Sequence, residues 1–331
     1  MNSLPIIDSF GRIHTSLRVS VTDRCNIRCF YCMPEVVRFL PQREVLTFEE
    51  IFRVVRIAAE LGVTKIRLTG GEPLVRAELW KLVEMLVALP GIEEVALTTN
   101  GILLAEQAVA LKQAGLRRLN VSLDSIDPAV FQQITRRPGL EKVLAGIMAA
   151  KDAGFESIRL NAVSIKGLTE SEIGPLAQFA RQHELDLRFI EFMPLDADGA
   201  WERNQVLSGS DVVKIIEAEV GTLELAARSD LRQPAVDFQY VDGRGRVGFI
   251  NSVSEPFCES CNRMRITAEG KFRNCLFSTV EWDLRELLRS GADDRQIAER
   301  IRECVAAKKA GHGMDSHDFR RPQKSMYQIG G

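Results

Sequence analysis

The sequence predicts an α/β fold built on a parallel sheet, and three observations predict it. Short β-rich runs recur along the first two thirds of the chain, helical stretches fill the intervals between them, and several of those stretches stop at a glycine. Strand–helix alternation sustained six times requires parallel strands, and both an open doubly wound sheet and a full or partial barrel satisfy it.

The strand runs are 17–22 (LRVSVT), 65–70 (KIRLTG), 95–100 (VALTTN), 118–124 (RLNVSLD), 158–165 (IRLNAVSI) and 186–193 (DLRFIEFM). Each is rich in apolar and β-branched residues and closes on polar residues or glycine, the profile of a buried strand. The helix after the first run is the best marked. Thr47 and Glu50 fit a capping box, Ile51, Val54, Val55, Ala58 and Leu61 share one face, and Gly62 supplies the stop. Helices near 76–89, 103–114, 140–153 and 170–184 keep the rhythm, with Gly115 and Gly154 ending two of them. In either architecture ligands gather at the carboxyl ends of the strands. Those ends are polar here: Thr22 to Cys32, Thr69 to Pro73, Thr98 to Gly101, Ser122 to Ser125 and Glu191 to Met193. Small hydroxyls and glycines at such points let a ligand approach the backbone closely.

After about residue 222 the rhythm breaks. Two strands around the turn Asp242–Gly245 are expected over 236–253, then helices near 279–290 and 294–309, and no regular structure over 311–331. The expected division is a six-unit α/β domain over 1–225 and a smaller α+β domain over 226–331.

A chain of 331 residues with 45% apolar composition can bury a full core. Lys and Arg number 43 against 45 for Asp and Glu, so no global field recruits nucleic acid or an anionic membrane. An anionic ligand must instead meet locally gathered Arg or Lys. The start shows no basic end followed by an apolar run and a small-residue cleavage site, and no run of about 18 apolar residues suggests a membrane span. A reducing, cytoplasmic setting is therefore expected. The seven cysteines form two triplets and a singleton, Cys304. In that setting clustered thiols serve more often as metal ligands or catalytic groups than as disulfides.

Cys25, Cys29 and Cys32 follow the first strand on one tight loop at the ligand-binding end. A structural zinc site closes with four protein ligands, whereas three thiolates on a four-iron cluster leave one iron open. Spacing alone also admits zinc with a distant fourth ligand, such as one of the four His. The triplet, with Tyr31 just before Cys32, resembles the signature loop of the radical S-adenosylmethionine (SAM) superfamily. Gly70-Gly71-Glu72-Pro73, at the end of the second strand, resembles that superfamily's second motif. The resemblance implies that the open iron chelates SAM, that one electron breaks a C–S bond, and that a 5′-deoxyadenosyl radical takes hydrogen from substrate.

Cys258 and Cys261, then thirteen residues, then Cys275 again give three thiols, and His312 or His317 could complete a zinc ribbon. The run 258–265, CESCNRMR, is similar to the auxiliary-cluster motif of the GTP 3′,8-cyclases that begin molybdenum-cofactor synthesis. That resemblance implies a second cluster whose open iron meets the guanine base. It also places nucleotide contacts at Arg18, Arg67, Thr98, Arg263 and Arg265, and SAM contacts at Tyr31, Gly71, Ser122 and Met193. Arg263 and Arg265 alternate on an expected strand and so share a face, and guanidinium forks suit a triphosphate. Where the family reads Lys before Val-Asn, this chain reads Arg159-Leu160-Asn161, which keeps the charge but changes its reach. The terminal Gly330-Gly331 is also a family feature, a tail that enters the active-site region.

The resemblance thus implies a partial (β/α)6 barrel of the radical SAM type with a smaller C-terminal domain. It implies two [4Fe-4S] clusters, and conversion of GTP to 3′,8-cyclo-7,8-dihydro-GTP by abstraction of the ribose 3′ hydrogen. Further expectations are a low-potential electron donor, a cyclic pyranopterin monophosphate synthase that receives the product, a homodimer, and neither nucleic acid nor membrane as partner. The rival readings are a radical SAM enzyme acting on a peptide and a zinc-binding scaffold without catalysis.

Overall fold

The computed structural model describes residues 5–228, 230 and 232–331. Six strands, β1 (Ser16–Ser20), β2 (Lys65–Thr69), β3 (Glu94–Thr99), β4 (Arg118–Ser122), β5 (Ser157–Ser164) and β6 (Asp186–Glu191), lie side by side in sequence order, all parallel. Helices α1 (Phe48–Glu60), α2 (Leu79–Val87), α3 (Leu104–Gln113), α4 (Pro128–Thr135), α5 (Leu140–Asp152), α6 (Ile173–Gln182) and α7 (Gly209–Glu219) accompany them. The expected capping box opens α1: the Thr47 hydroxyl accepts from the Glu50 N–H at 3.1 Å, and the Glu50 carboxylate accepts from the Thr47 N–H at 2.8 Å.

Period-two alternation gives the strands two unlike faces. Leu17, Val19, Ile66, Leu68, Leu119, Val121, Leu160 and Leu187 are buried in one continuous core with apolar residues of the helices, among them Val54, Leu82 and Val143. The alternate residues, including Arg18, Arg67, Thr98, Asn120, Arg159 and Arg188, line an enclosed cavity on the other side. Ser16 of β1 and Ile190 of β6 line that same cavity from opposite ends of the six-strand row, so the sheet curls around it. The result is a six-unit partial barrel.

Beyond β6 the chain adds β7 (Leu223–Leu225), β8 (Val236–Tyr240), β9 (Arg246–Ile250), β10 (Arg263–Ile266), β11 (Lys271–Arg273) and β12 (Trp282–Asp283). These extend both edges of the barrel sheet. β9 runs parallel to β6, with Phe249 opposite Phe189, and β10 runs parallel to β1, with Arg265 opposite Arg18. Among the described residues the order is β12-β11-β10-β1-β2-β3-β4-β5-β6-β9-β8-β7.

Three expectations need correction. The helix expected over 279–290 is only α8 (Arg285–Arg289), because Trp282 pairs opposite Phe272 and draws its segment into the sheet. The stretch 311–331 is not wholly irregular: α10 (Met326–Ile329) opens on a capping box between Ser325 and Gln328. Helices α4 and α7 were not anticipated, although Asp127 caps α4 ahead of Pro128 and Ser208 caps α7. The 294–309 expectation corresponds to α9 (Asp294–Ala306). Among the described residues no helix is long and apolar enough to cross a membrane.

Candidate active site

The first thiol loop leaves β1 and is tied down from three sides. Cys32 and Met33 donate their N–H groups to Cys29 O, both at 2.9 Å, while Arg28 N–H and Phe30 N–H donate to Thr135 O and Ile134 O at the end of α4. The Gly70-Gly71 segment presses against this loop. Gly71 N–H donates to Thr22 O and Glu72 N–H to Arg24 O, each at 2.8 Å. A Cβ on Gly71 would fall 2.5 Å from Arg24 O, so only glycine allows that approach. Glu72 is fully buried and accepts from Asn100 N–H at 2.6 Å, Thr99 hydroxyl at 2.7 Å and Leu74 N–H at 2.9 Å. The ends of β2 and β3 and the thiol loop are thereby locked into one unit.

Cys25, Cys29 and Cys32 line a cavity of about 140 Å³ together with Tyr31, Gly71, Thr98 and Ser122. Burial, and next the carboxylate of Glu72, raise the Cys25 thiol to about 11. Cys29 is pushed well above the ordinary thiol range by burial and by Asp124, and Cys32 also rises by burial. Such thiols ionise only when a metal replaces the proton. The Tyr31 hydroxyl donates to Asp124 at 2.6 Å, and burial raises the Asp124 carboxyl to about 6 against that bond.

The neighbouring cavity, about 270 Å³, is the barrel lumen. Arg18, Arg67, Thr98, Ser122, Arg159, Met193 and Arg263 all line it. Arg159 also pairs with Asp186 at 3.3 Å. Burial, and then the charges of Arg265, Arg67 and Arg263, depress Arg18 far below the ordinary guanidinium value. Burial and the charges of Arg118, Arg188 and Arg159 bring Arg67 down to about 10. These cations repel one another at close quarters, which is the arrangement an anion relieves. Among the described residues the buried Thr98 hydroxyl finds no hydrogen-bond partner, although it lines both cavities.

Cys258, Cys261 and Cys275 line a third cavity of about 170 Å³, with Arg18, Met193, Arg263 and Arg265. Met326 and Gly331 line all three cavities, so the cavity of each thiol trio adjoins the lumen, and both share tail residues with it. The Thr69 hydroxyl donates to Gly331 O at 2.7 Å, and Arg265 donates to Gly330 O. Burial would raise the Cys261 thiol, but Arg263 and Lys308 outweigh it and bring it down to about 6. Arg263 donates to Cys261 Sγ from Nε at 3.4 Å and from Nη2 at 3.3 Å. His312 is not a fourth ligand: its Nε2 faces Ser252 O at 3.1 Å and its Nδ1 accepts from Met314 N–H at 3.1 Å. Among the described residues no three His, Cys, Asp or Glu side chains converge tightly enough to hold a single metal ion. Cys304 is buried in α9 and lines none of the three cavities.

Two family models together match nearly the whole of this arrangement. The one described as Radical SAM superfamily matches residues 19–180, and the one described as Molybdenum Cofactor Synthesis C matches residues 185–314. A GTP 3′,8-cyclase of Rhodopirellula baltica is 52% identical over 99% of this chain and 92% of its own length. The chain belongs to the GTP 3′,8-cyclase family. Relatives of that name from Mycolicibacterium smegmatis and Streptomyces coelicolor are 47% and 44% identical, over 99% and 98% of this chain and 92% and 96% of theirs. Among solved structures, Streptococcus suis SuiB bound to its precursor peptide SuiA is similar in fold alone. Its TM-score is 0.63 at 14% identity, over 97% of this chain and 77% of that one.

Arg118, Asn120, Asp124, Asn161 and Arg188 also line the lumen and were not singled out from the sequence. The signal was present. Arg118, Asn120 and Ser122 on β4, and Arg159 and Asn161 on β5, sit two residues apart, a polar face carried by strands whose other face is apolar.

Proposed function

We propose that this chain is a radical SAM GTP 3′,8-cyclase that carries two [4Fe-4S] clusters. Cys25, Cys29 and Cys32 would hold the first, and Cys258, Cys261 and Cys275 the second. One observation carries the reading: two trios of thiols, neither joined by a fourth ligating side chain among the described residues, line cavities that adjoin a lumen walled by repelling guanidinium groups. Zinc would need about four donors at one point, and His312 is committed elsewhere. The Thr98 hydroxyl, unpartnered among the described residues and lining the same cavity as Gly70 and Gly71, fits a polar ligand beside the first trio.

Cys25, Cys29 and Cys32 would hold the cluster that, with bound SAM and an external electron, would supply the radical chemistry for abstraction of the ribose 3′ hydrogen of GTP on the way to 3′,8-cyclo-7,8-dihydro-GTP. The chain's own residues do the rest. Gly71 lets the thiol loop close against the strand ends, with Tyr31, Ser122 and Met193 lining the place of SAM. Arg18, Arg67, Arg159, Arg263 and Arg265, with Thr98, hold the nucleotide. Asp124 fixes the Tyr31 hydroxyl. Gly330 and Gly331 pack between the two trios, where backbone without side chains excludes water from a reactive carbon radical. A cytoplasmic setting, an external low-potential donor, a homodimer and hand-over of product to cyclic pyranopterin monophosphate synthase complete the proposal.

The test is anaerobic incubation with SAM, reductant and each of the four ribonucleoside triphosphates, scored by mass for 5′-deoxyadenosine and modified nucleotide. GTP alone should give cyclised product. Cys29→Ser should abolish SAM cleavage, whereas Cys261→Ser should leave some cleavage and no cyclised nucleotide. Normal product from Cys261→Ser would overturn the substrate-holding role of the second trio.

A further inference from the structure

Lys308 is a buried cation without a carboxylate. It follows the end of α9 and is 5% exposed. Its ammonium donates to Arg263 O at 2.9 Å and lies 3.5 Å from both Cys261 O and Cys261 Sγ. Among the described residues no Asp or Glu forms an ion pair with it. An ammonium taken out of water costs several kcal/mol unless it meets negative charge, and the negative charge within reach is on sulfur.

Its placement is built. Arg12 donates from Nη2 to Lys309 O at 2.7 Å, and from Nη1 to Ala310 O and Cys258 O, both at 2.8 Å. One guanidinium thus ties the segment after Lys308 to the loop of the second trio. Arg12 is held in turn by Asp8, with Nε to Oδ2 at 2.6 Å, and Asp8 also accepts from His14 at 3.0 Å. On its other flank Lys308 N–H donates to Val305 O at 3.0 Å.

Arg263 also reaches Cys261, but it lines the chamber, where a nucleotide competes for its guanidinium. Lys308 lines neither chamber cavity beside the second trio. It borders instead an adjoining space of about 640 Å³ that Cys258, Cys261 and Cys275 line as well and Arg263 does not. It is therefore the cation that stays on the sulfur when the chamber fills.

We propose that Lys308 is a positioning residue for the second iron–sulfur cluster: its fixed charge holds Cys261 as an iron ligand and raises the cluster's reduction potential. The inference rests on the two-cluster reading. The sign follows from Coulomb's law, since a cation beside the sulfur favours the form carrying one more electron, and hydrogen bonds to cluster sulfurs act in the same direction.

The experiment uses anaerobically prepared holoenzyme, compares wild type with Lys308→Met and Lys308→Arg, and measures iron content and an EPR-monitored redox titration without SAM or GTP. Wild type should hold about eight irons, as two four-iron clusters require. In Lys308→Met the second cluster's midpoint should move to more negative potential, with a reduced-to-oxidised ratio about tenfold lower at fixed potential, or ~59 mV for a one-electron couple. Lys308→Arg should stay near wild type. Loss of the second cluster in Lys308→Met with retention in Lys308→Arg also supports the proposal. An unshifted midpoint in Lys308→Met, or loss of the cluster in both variants, overturns it. About four irons in wild type would instead overturn the two-cluster reading, and the inference with it.

Discussion

Gly71→Ala tests the close fit between the glycine segment and the first thiol loop. The added Cβ would lie 2.5 Å from Arg24 O and 2.7 Å from Asp23 O, where ordinary contact begins near 3.4 Å. Both neighbours are backbone, so no side chain can swing aside. The loop bearing Cys25 must retreat, and the bonds from Gly71 N–H to Thr22 O and from Glu72 N–H to Arg24 O must stretch or break. Each such bond contributes ~0.5–1.5 kcal/mol, and forced overpacking costs ~1–3 kcal/mol. A loss of roughly 2–6 kcal/mol follows, the upper end only if both bonds break. For catalysis the displacement matters more, because misplacing a reacting group by ~1 Å can cost ~100-fold in rate. The assay pairs thermal unfolding with 5′-deoxyadenosine formation in the presence of GTP. Expected are a lower melting midpoint and a rate loss far larger than the small loss of folded protein explains. A variant that melts and turns over like wild type would show that the loop has slack, and the argument from close approach would be wrong.

Two further predictions rest on buried groups. Glu72→Gln should lower the urea midpoint by ~1–3 kcal/mol equivalent, because an amide NH₂ must face one of the three donors that now point at the carboxylate. An unchanged midpoint would mean the donors can turn elsewhere. The His14–Asp8 pair predicts acid sensitivity: burial lowers His14 to about 4, and Asp8 is lowered to about 2 against burial by its bonds to His14 and Arg12. Both native values lie below the ordinary ones, so the native state binds fewer protons. Stability present at neutral pH is therefore lost as pH falls from 6.5 toward 4 through His14, and further through Asp8. The His14 share is of order 3 kcal/mol, and a His14→Gln curve parallel to wild type between pH 7 and 4.5 would contradict it.

The barrel was legible because its signals are local. Six apolar runs, the Thr47 capping box and the glycine stops are each decided within a few residues, and each was found. Pairing across long sequence separations carries no such mark. Nothing near Arg263 announces that β10 lies parallel to β1, and that register is what brings Arg265 opposite Arg18. Trp282 was read as helix because its pairing with Phe272 is likewise decided outside its own segment. Lys308 was passed over for a related reason. A lysine in the last turn of an expected helix reads as a solvated end, and the segment that follows it is tied down by Arg12, almost three hundred residues earlier. The thiol trios were visible as spacing, but the charges around them belong to the fold.

Under the proposed function those charges suit the trios to unlike work. Three thiols stand in each, yet the first sits among Glu72 and Asp124, with its thiols held neutral by burial, while the second sits among Arg263 and Lys308, with Cys261 already inclined to ionise. With iron loaded as proposed, the ionised fractions of Glu72 and Asp124, which burial raises to about 7 and about 6, disfavour an added electron at the first site and so favour a stronger reductant there. Cations near the second favour the added electron and so make it the weaker reductant. A strongly reducing centre is what cleavage of a sulfonium C–S bond demands. A centre that keeps its electrons but offers an open metal corner is suited to hold a purine nitrogen or oxygen. Exchanging the two environments while keeping all six cysteines would therefore leave both trios in place and remove the direction of the chemistry between them.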